Sequence, residues 1–246
     1  MKKRINSILH KFGFEVHGIS YLQKMSKKDF QKDAFEVQYE LLKKNAKIIF
    51  DVGANRGDVS EKYFQLFPSA KIYAFEPFPE CFENLQQRFE SIRNINCVQM
   101  AISSKKEAKD FFVNRSADTN SLYKSNSIGL SSDKLVENVS TIQVNCISID
   151  EFCEENNIQN IDILKMDIQG GELNALKGAV KLLKDQRIKL IYSEVFFVEQ
   201  YIAQPLFEDI SFFLRDFGYH LQDFYDPFYG KGNIVWADTI FVRSDG

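Results

Sequence analysis

One stretch near the start of the chain restricts its fold more than any other. An apolar run, Ile48–Val52, carries an aspartate near its end and leads into a short turn that begins with Gly53 and ends with Gly57. Glycine at two nearby positions lets the backbone turn tightly and approach a ligand closely, and the residues after Gly57 begin like a helix. A strand, a glycine turn and a helix in this order are typical of the first unit of a nucleotide-binding α/β domain.

From residue 47 onward, predicted strands alternate with predicted helices, which is typical of a parallel sheet. The predicted strands are Lys47–Val52, Lys71–Phe75, Ile95–Met100, Lys109–Asn114, Thr141–Ile147, Ile161–Met166, Arg187–Ser193, Tyr219–Phe224 and Asp238–Arg243. The predicted helices are Asp58–Phe67, Pro79–Ser91, Ile149–Asn157, Glu172–Leu183 and Pro205–Phe217. Residues 118–132, rich in serine and asparagine, are predicted to form a long loop, and an aromatic loop with glycines is predicted between the last two strands.

Residues 1–46 precede this pattern and are predicted to form a small N-terminal helical extension to a main domain of residues 47–246. Apolar residues recur at helical spacing near its start: Ile5, Ile8, Leu9 and Phe12. A second helix is predicted from Asp29 to Lys44. We expect the extension to pack on the main domain or on a second subunit, so a homodimer through the N-terminal helices is one expectation.

Composition excludes several classes of protein. The chain has 246 residues and a formal net charge of -3, which argues against nucleic acid as its main partner. We expect no stable membrane insertion, because no run approaches the roughly 18 apolar residues that cross a bilayer. The basic start is followed by no long apolar region, so we expect no signal peptide. The four cysteines are scattered, which predicts reduced thiols and a cytoplasmic protein.

The first turn distinguishes between two kinds of nucleotide ligand. A dinucleotide-binding turn has a middle glycine that gives room to a pyrophosphate. Asn55 stands at that position here, and its side chain disfavours a dinucleotide. Asp51, at the end of the strand, is suited to a ligand that carries an ammonium or sulfonium group.

Two further positions suit an adenosine ligand. Glu76 follows the second predicted strand, where an acidic side chain can accept hydrogen bonds from both ribose hydroxyls. Ala101 and Ile102 follow the third strand, where small and apolar residues suit an adenine ring. The first turn, Glu76 and these two residues together predict a site for a nucleoside.

Acidic residues cluster around two later strands. Asp167 follows the strand Ile161–Met166, Glu172 begins the next helix, and Glu194 follows the strand after that. The carboxyl ends of parallel strands face the crevice in which open α/β sheets bind ligands. We expect Asp167 or Glu194 to position and deprotonate an acceptor hydroxyl, with Glu172 in support. Mg²⁺ held by Asp167 and Glu194 is an alternative way to position such a hydroxyl.

Aromatic side chains cluster between Phe196 and Trp236, and aromatic faces stack well on sugar rings. Three of them are the predicted contacts to an acceptor: Phe196, Tyr201 and Tyr229.

Three motifs together resemble the FkbM family of S-adenosylmethionine-dependent methyltransferases. They are Phe50-Asp51-Val52-Gly53-Ala54-Asn55-Arg56-Gly57, Phe75-Glu76-Pro77-Phe78-Pro79 and Leu164-Lys165-Met166-Asp167-Ile168-Gln169-Gly170-Gly171-Glu172. The resemblance implies a Rossmann-like class I methyltransferase fold, with a seven-stranded, mostly parallel sheet and helices on both faces. It also implies O-methylation of a sugar, such as a glycan or nucleotide-sugar, or of a secondary metabolite.

The resemblance implies a set of residues that bind S-adenosylmethionine: Asp51, Gly53, Ala54, Asn55, Gly57, Glu76, Ala101 and Ile102. Two positions depart from the family pattern, in which an acidic residue followed by Gly-Ala-Glu is usual after the aspartate. Gln169 replaces that acidic residue and Gly171 replaces the alanine. Two other classes remain open at this point: an NAD(P)-dependent oxidoreductase, and a domain that binds S-adenosylmethionine without catalysis.

Overall fold

The computed structural model describes residues 32–126 and 136–243. The chain divides into two compact units, residues 1–37 and 38–246. The predicted helix around residues 5–12 and the start of the second predicted helix lie outside the described residues. The helices are α1 Ala34–Leu41, α2 Asp58–Leu66, α3 Pro79–Phe89, α4 Ile149–Glu155, α5 Glu172–Lys177, α6 Val180–Lys184 and α7 Phe207–Arg215, with a 3₁₀ turn at Ala117–Thr119. The strands are β1 Ile48–Val52, β2 Lys71–Phe75, β3 Ile95–Val98, β4 Ala101–Ile102, β5 Glu107–Asn114, β6 Asn138–Ile147, β7 Ile161–Met166, β8 Ile188–Phe196, β9 Tyr219–Gly230 and β10 Asn233–Arg243.

Seven strands form the main sheet, in the order β3-β2-β1-β7-β8-β10-β9. The pairs from β3 to β8 are parallel, and β10 runs antiparallel to both of its neighbours. All six residues of β7 are buried, which requires cover on both faces of the sheet. The predicted α/β class and the mostly parallel seven-stranded sheet are confirmed. β4, β6 and β5 form a separate three-stranded sheet.

Two predictions about individual elements are wrong. The segment between residues 224 and 238 is mostly strand, since β9 and β10 pair from Arg243 opposite Tyr219 to Asn233 opposite Gly230. Cross-strand hydrogen bonds, which local composition does not reveal, stabilise this long hairpin. The predicted helix Glu172–Leu183 is interrupted at Gly178. A Cβ there would lie 2.3 Å from the carbonyl oxygen of Ser103, so the break lets the chain pass close to the end of β4.

The sheet order defines where a ligand can bind. β1 pairs with β2 on one side and with β7 on the other, so the chain adds strands on one side of β1 first and then crosses to the other side. Open α/β sheets bind ligands outside the carboxyl ends of the strands at such a point. The first turn, Glu76 and Asp167 follow these three strands. No helix within the described ranges is long and apolar enough to span a membrane.

Candidate active site

A cavity of about 260 Å³ opens at the carboxyl ends of β1, β2 and β7. Five of the predicted cofactor residues line it: Gly53, Asn55, Glu76, Ala101 and Ile102. Asp167 and Gln169 line it from the other side, so the cavity joins the predicted nucleoside site to the predicted reaction site. Residues of the 3₁₀ turn and the following segment complete the wall: Ala117, Asp118, Asn120 and Leu122.

The N–H groups of the first turn donate hydrogen bonds to other protein groups. The N–H groups of Gly53 and Ala54 both donate to the carbonyl oxygen of Phe75, at 3.0 and 2.9 Å. The N–H of Asn55 donates to Oε2 of Glu76 at 2.9 Å. Glycine turns that bind a pyrophosphate present these N–H groups to the phosphate oxygens. Because three successive N–H groups already have partners here, the turn is poorly suited to a dinucleotide.

The glycines of the turn allow close packing between parts of the protein. Gly53 has a φ of +77°, and a Cβ on it would lie 1.9 Å from the carbonyl oxygen of Asp167. Gly57 has a φ of +91°, and a Cβ on it would lie 2.4 Å from the ring of Phe89. The expectation that both glycines approach a ligand therefore needs correction, since Gly57 faces α3 and does not line the cavity. Asn55 also has a left-handed φ, +47°, which asparagine tolerates better than most residues.

Glu76 is the acidic residue best placed to meet a ribose. Its Oε1 accepts the N–H of Phe78 at 2.8 Å and its Oε2 accepts the N–H of Asn55, which fixes the carboxylate at the cavity wall. A carboxylate oxygen has a further lone pair for a ligand hydroxyl. Burial raises the pKa of Glu76 to about 7, although the two backbone hydrogen bonds oppose this shift.

Two amide atoms on cavity-lining residues have no hydrogen-bond partner in the described structure: Oδ1 of Asn55 and Nδ2 of Asn120. Both atoms are buried, and a buried polar atom without a partner is costly. A nucleoside offers both donors and acceptors, so these two atoms fit the predicted ligand. Sequence reasoning missed Asn120, because it lies in a segment predicted only as a loop. Its Oδ1 accepts the N–H of Asn114 at 2.8 Å, which fixes the amide.

Gln169 connects the acidic residues at the other end of the cavity. Its Nε2 donates to Oδ1 of Asp167 at 3.0 Å and to Oε2 of Glu194 at 2.7 Å. Its Oε1 accepts the hydroxyl of Tyr201 at 2.7 Å. The structure thus brings Asp167 and Glu194 together, as predicted, but joins them through an amide that the sequence reasoning treated only as a departure from the family pattern.

The other two predicted acidic residues are more deeply enclosed. Oε1 of Glu172 accepts the N–H of Ile168 at 2.9 Å, so this carboxylate closes the turn before α5. Burial raises the pKa of Glu172 to about 7. Burial also raises the pKa of Glu194 well above its usual range, and the nearby charge of Asp167 adds to the shift. Neither side chain lines the cavity, which leaves Asp167 as the acid most accessible to an acceptor.

Three of the predicted cofactor residues do not line the cavity: Asp51, Ala54 and Gly57. Asp51 is fully buried, with Oδ1 3.0 Å from the ammonium of Lys165 and Oδ2 accepting the hydroxyl of Ser60 at 2.6 Å. Lys165 also donates to the carbonyl oxygen of Gly53 at 3.0 Å. Asp51 therefore links β1 to β7 and to α2, and its partner is the ammonium of Lys165 instead of a cationic ligand.

The three predicted acceptor contacts lie in different places. Tyr201 is buried, and its hydroxyl donates to Oε1 of Gln169, the residue that joins Asp167 and Glu194. The same hydroxyl lies 3.1 Å from the carbonyl oxygen of Thr119. Phe196 is buried edge-on against Tyr201, with ring centroids 6.2 Å apart. Tyr229 lies near the tip of the β9–β10 hairpin and is 62% exposed. None of the three lines the cavity, so each remains only a predicted acceptor contact.

The sheet order and the cavity at the carboxyl ends of its central strands define a Rossmann-like methyltransferase fold. The model of the methyltransferase FkbM domain matches residues 51–221. The chain therefore belongs to the FkbM methyltransferase family, as the resemblance indicated.

Comparison with known proteins gives relatives of the same kind. The 2-O-methyltransferase NoeI of Sinorhizobium fredii is 29% identical over 174 residues, which are 68% of each chain. The methyltransferase sdnD of Sordaria araneosa is 25% identical over 196 residues, 70% of this chain and 73% of that one. Among solved structures, an rRNA methylase from Streptococcus thermophilus is similar, with a TM-score of 0.47 and 11% identity, covering 87% of this chain and 98% of that one.

Proposed function

We propose that this protein transfers a methyl group from S-adenosylmethionine to a hydroxyl of a sugar or of a secondary metabolite. One observation carries the proposal: a single cavity connects Glu76, at the end of β2, with Asp167, at the end of β7. Glu76 suits the ribose of the methyl donor, and Asp167 suits the acceptor hydroxyl. The family membership and the similarity to NoeI, a 2-O-methyltransferase, support transfer to oxygen.

In this proposal the chain's own residues align the two reactants. Methyl transfer from a sulfonium is an in-line displacement: the acceptor oxygen forms a bond to the methyl carbon, the carbon–sulfur bond breaks, and S-adenosylhomocysteine leaves. The hydroxyl proton passes to a carboxylate, for which Asp167 is the proposed base. Asn55 and Asn120 offer an acceptor and a donor to the nucleoside, and Ala101 and Ile102 offer an apolar wall.

The first experiment identifies the donor and the acceptor together. The protein is incubated with S-adenosylmethionine labelled in its methyl group and with glycan precursors and small-molecule extracts from the host cell, and products are analysed by mass spectrometry. We expect the label on a hydroxyl oxygen. Calorimetry with S-adenosylhomocysteine and with NAD provides the control. We expect NAD to bind poorly, since the N–H groups of the first turn already have partners and are not available to a pyrophosphate. Binding of NAD alone would instead favour an oxidoreductase, and binding of S-adenosylhomocysteine without any turnover would favour a non-catalytic domain.

The proposed contact between Glu76 and the ribose makes the binding of S-adenosylhomocysteine depend on pH. The ionised carboxylate accepts ribose hydroxyls better than the protonated acid does, and the pKa of Glu76 is raised to about 7. The affinity for S-adenosylhomocysteine should therefore be highest above pH 7 and should fall as the pH drops below it, by at most about tenfold per pH unit. Calorimetry between pH 5.5 and pH 8.5 measures this.

The variant Glu76→Gln is the control, because it keeps the size of the side chain and removes the titrating group, while its amide nitrogen replaces one of the two oxygens that accept the N–H groups of Asn55 and Phe78. We expect weaker binding in the variant, by about tenfold, with a flat pH profile. The control is needed because the pKa of Glu172 is also raised to about 7. A pH profile that stays steep in Glu76→Gln would assign the titration to another acid and would remove Glu76 from the proposed ribose site.

A further inference from the structure

The amide of Gln169 has a single orientation that its surroundings permit. Both hydrogens of Nε2 point at carboxylate oxygens, those of Asp167 and Glu194. If the amide were flipped, its oxygen would face the carboxylate oxygen of Asp167 with no hydrogen between them, which is repulsive. The hydroxyl of Tyr201 completes the arrangement by donating to Oε1. Gln169 is therefore held by three side chains that come from different parts of the chain.

The backbone of Gln169 is also fixed. Its φ is +54°, in the left-handed region, which is strained for a residue other than glycine. The carbonyl oxygen of Gln169 accepts the hydroxyl of Ser121 at 2.7 Å. Such a conformation persists only where the surroundings determine it strongly. The backbone hydrogen bond from Ser121 and the side-chain contacts of the amide therefore fix the position of Gln169 together.

The ionisable groups around this amide are mostly acidic. Glu194 interacts with the carboxylates of Asp167, Glu172 and Asp238, and with one cation, Lys165. Lys165 lies 3.0 Å from Asp51, so its charge is already paired. Two carboxylates that approach each other usually require a shared proton or a bound cation between them. Here the two N–H groups of Gln169 occupy that position.

A magnesium ion bridging Asp167 and Glu194 does not fit this arrangement. Mg²⁺ binds oxygen ligands at about 2.0–2.1 Å and would meet the hydrogens of Nε2 instead. Within the described ranges, no group of three or more histidine, cysteine, aspartate or glutamate side chains could hold a metal ion. We propose that Gln169 is a positioning residue, which takes the place of a divalent cation between Asp167 and Glu194 and so holds Asp167 in place for the acceptor. This inference rests on the proposed function, since that function assigns Asp167 to the acceptor hydroxyl.

The binding of Mn²⁺, a probe for divalent cations, tests the role of Gln169 without a known acceptor. Electron paramagnetic resonance measures free Mn²⁺ during titration of the wild-type protein and of Gln169→Glu, each in the presence of S-adenosylhomocysteine. The variant places a third carboxylate between Asp167 and Glu194 and so creates a set of oxygen ligands. We expect Gln169→Glu to bind Mn²⁺ at least about tenfold more tightly than the wild type.

The double variant Gln169→Glu with Glu194→Gln is the matched control for surface binding, since it removes one ligand and should lose the gain. Gln169→Ala removes the amide without adding charge and should bind Mn²⁺ more tightly than the wild type, which keeps the test valid if Gln169→Glu does not fold. Wild-type protein that binds Mn²⁺ as tightly as Gln169→Glu would overturn the inference, as would a folded Gln169→Glu without any gain. If the wild type fails to bind S-adenosylhomocysteine, the proposed function fails, whereas the Mn²⁺ titration still decides the role of the amide.

Discussion

Replacing Asp167 with asparagine should lower the rate of methyl transfer by a factor on the order of 100 to 10,000, the range typical of a lost general base. Asparagine has nearly the same shape and can still accept the hydrogen bond from Nε2 of Gln169, so the acid cluster should keep its geometry. It cannot take up the proton of the acceptor hydroxyl. Turnover with the acceptor found by the labelling experiment measures the rate, and calorimetry with S-adenosylhomocysteine should show nearly unchanged affinity.

The variant Glu194→Gln decides which of the two acids is the base. Asp167 lines the cavity and Glu194 does not, so we expect Glu194→Gln to lose much less activity than Asp167→Asn. The reverse order would assign the proton to Glu194. Wild-type turnover in Asp167→Asn would remove Asp167 from the catalytic set.

Elements with strong local patterns could be predicted from the sequence. β2 and β7 have the predicted bounds, since each is a mostly apolar segment followed by an acidic residue and a turn. The meeting of Glu76 and Asp167 at one cavity could also be predicted, because the carboxyl ends of all parallel strands in a sheet lie at the same edge.

Contacts between distant parts of the chain could not be predicted. The sequence pattern places Asp51 at the ligand, but in the fold Asp51 pairs with Lys165 on β7, which is distant from it in the sequence. Asn120 lines the cavity from a segment with no regular pattern. The local sequence identifies Gln169 as unusual, but only the fold shows that Asp167, Glu194 and Tyr201 all reach its amide. Each of these side chains acquires its role from a partner that sequence spacing does not reveal.

Gly53 is another residue whose contact with a distant part of the chain could not be predicted from the sequence. Its substitution has the largest expected effect on stability. The sequence predicted a glycine that makes room for a ligand, whereas the structure places it against the carbonyl oxygen of Asp167. The β1 and β7 ends approach closely here, since the N–H of Asp167 donates to the carbonyl oxygen of Val52 at 3.1 Å. An alanine at position 53 would have to separate these strand ends and adopt a left-handed φ.

We therefore expect Gly53→Ala to lower the free energy of unfolding by more than about 4 kcal/mol and to abolish binding of S-adenosylhomocysteine. Gly218→Ala is the matched control: its φ is +81°, but a Cβ there would meet no atom within 4 Å. That variant should lose only the roughly 1–2 kcal/mol of a left-handed alanine. Urea unfolding of both variants measures the difference, which isolates the contact with Asp167 from the backbone strain. Equal losses in the two variants would mean that the strand ends separate easily, and that the cavity between Glu76 and Asp167 does not depend on their close approach.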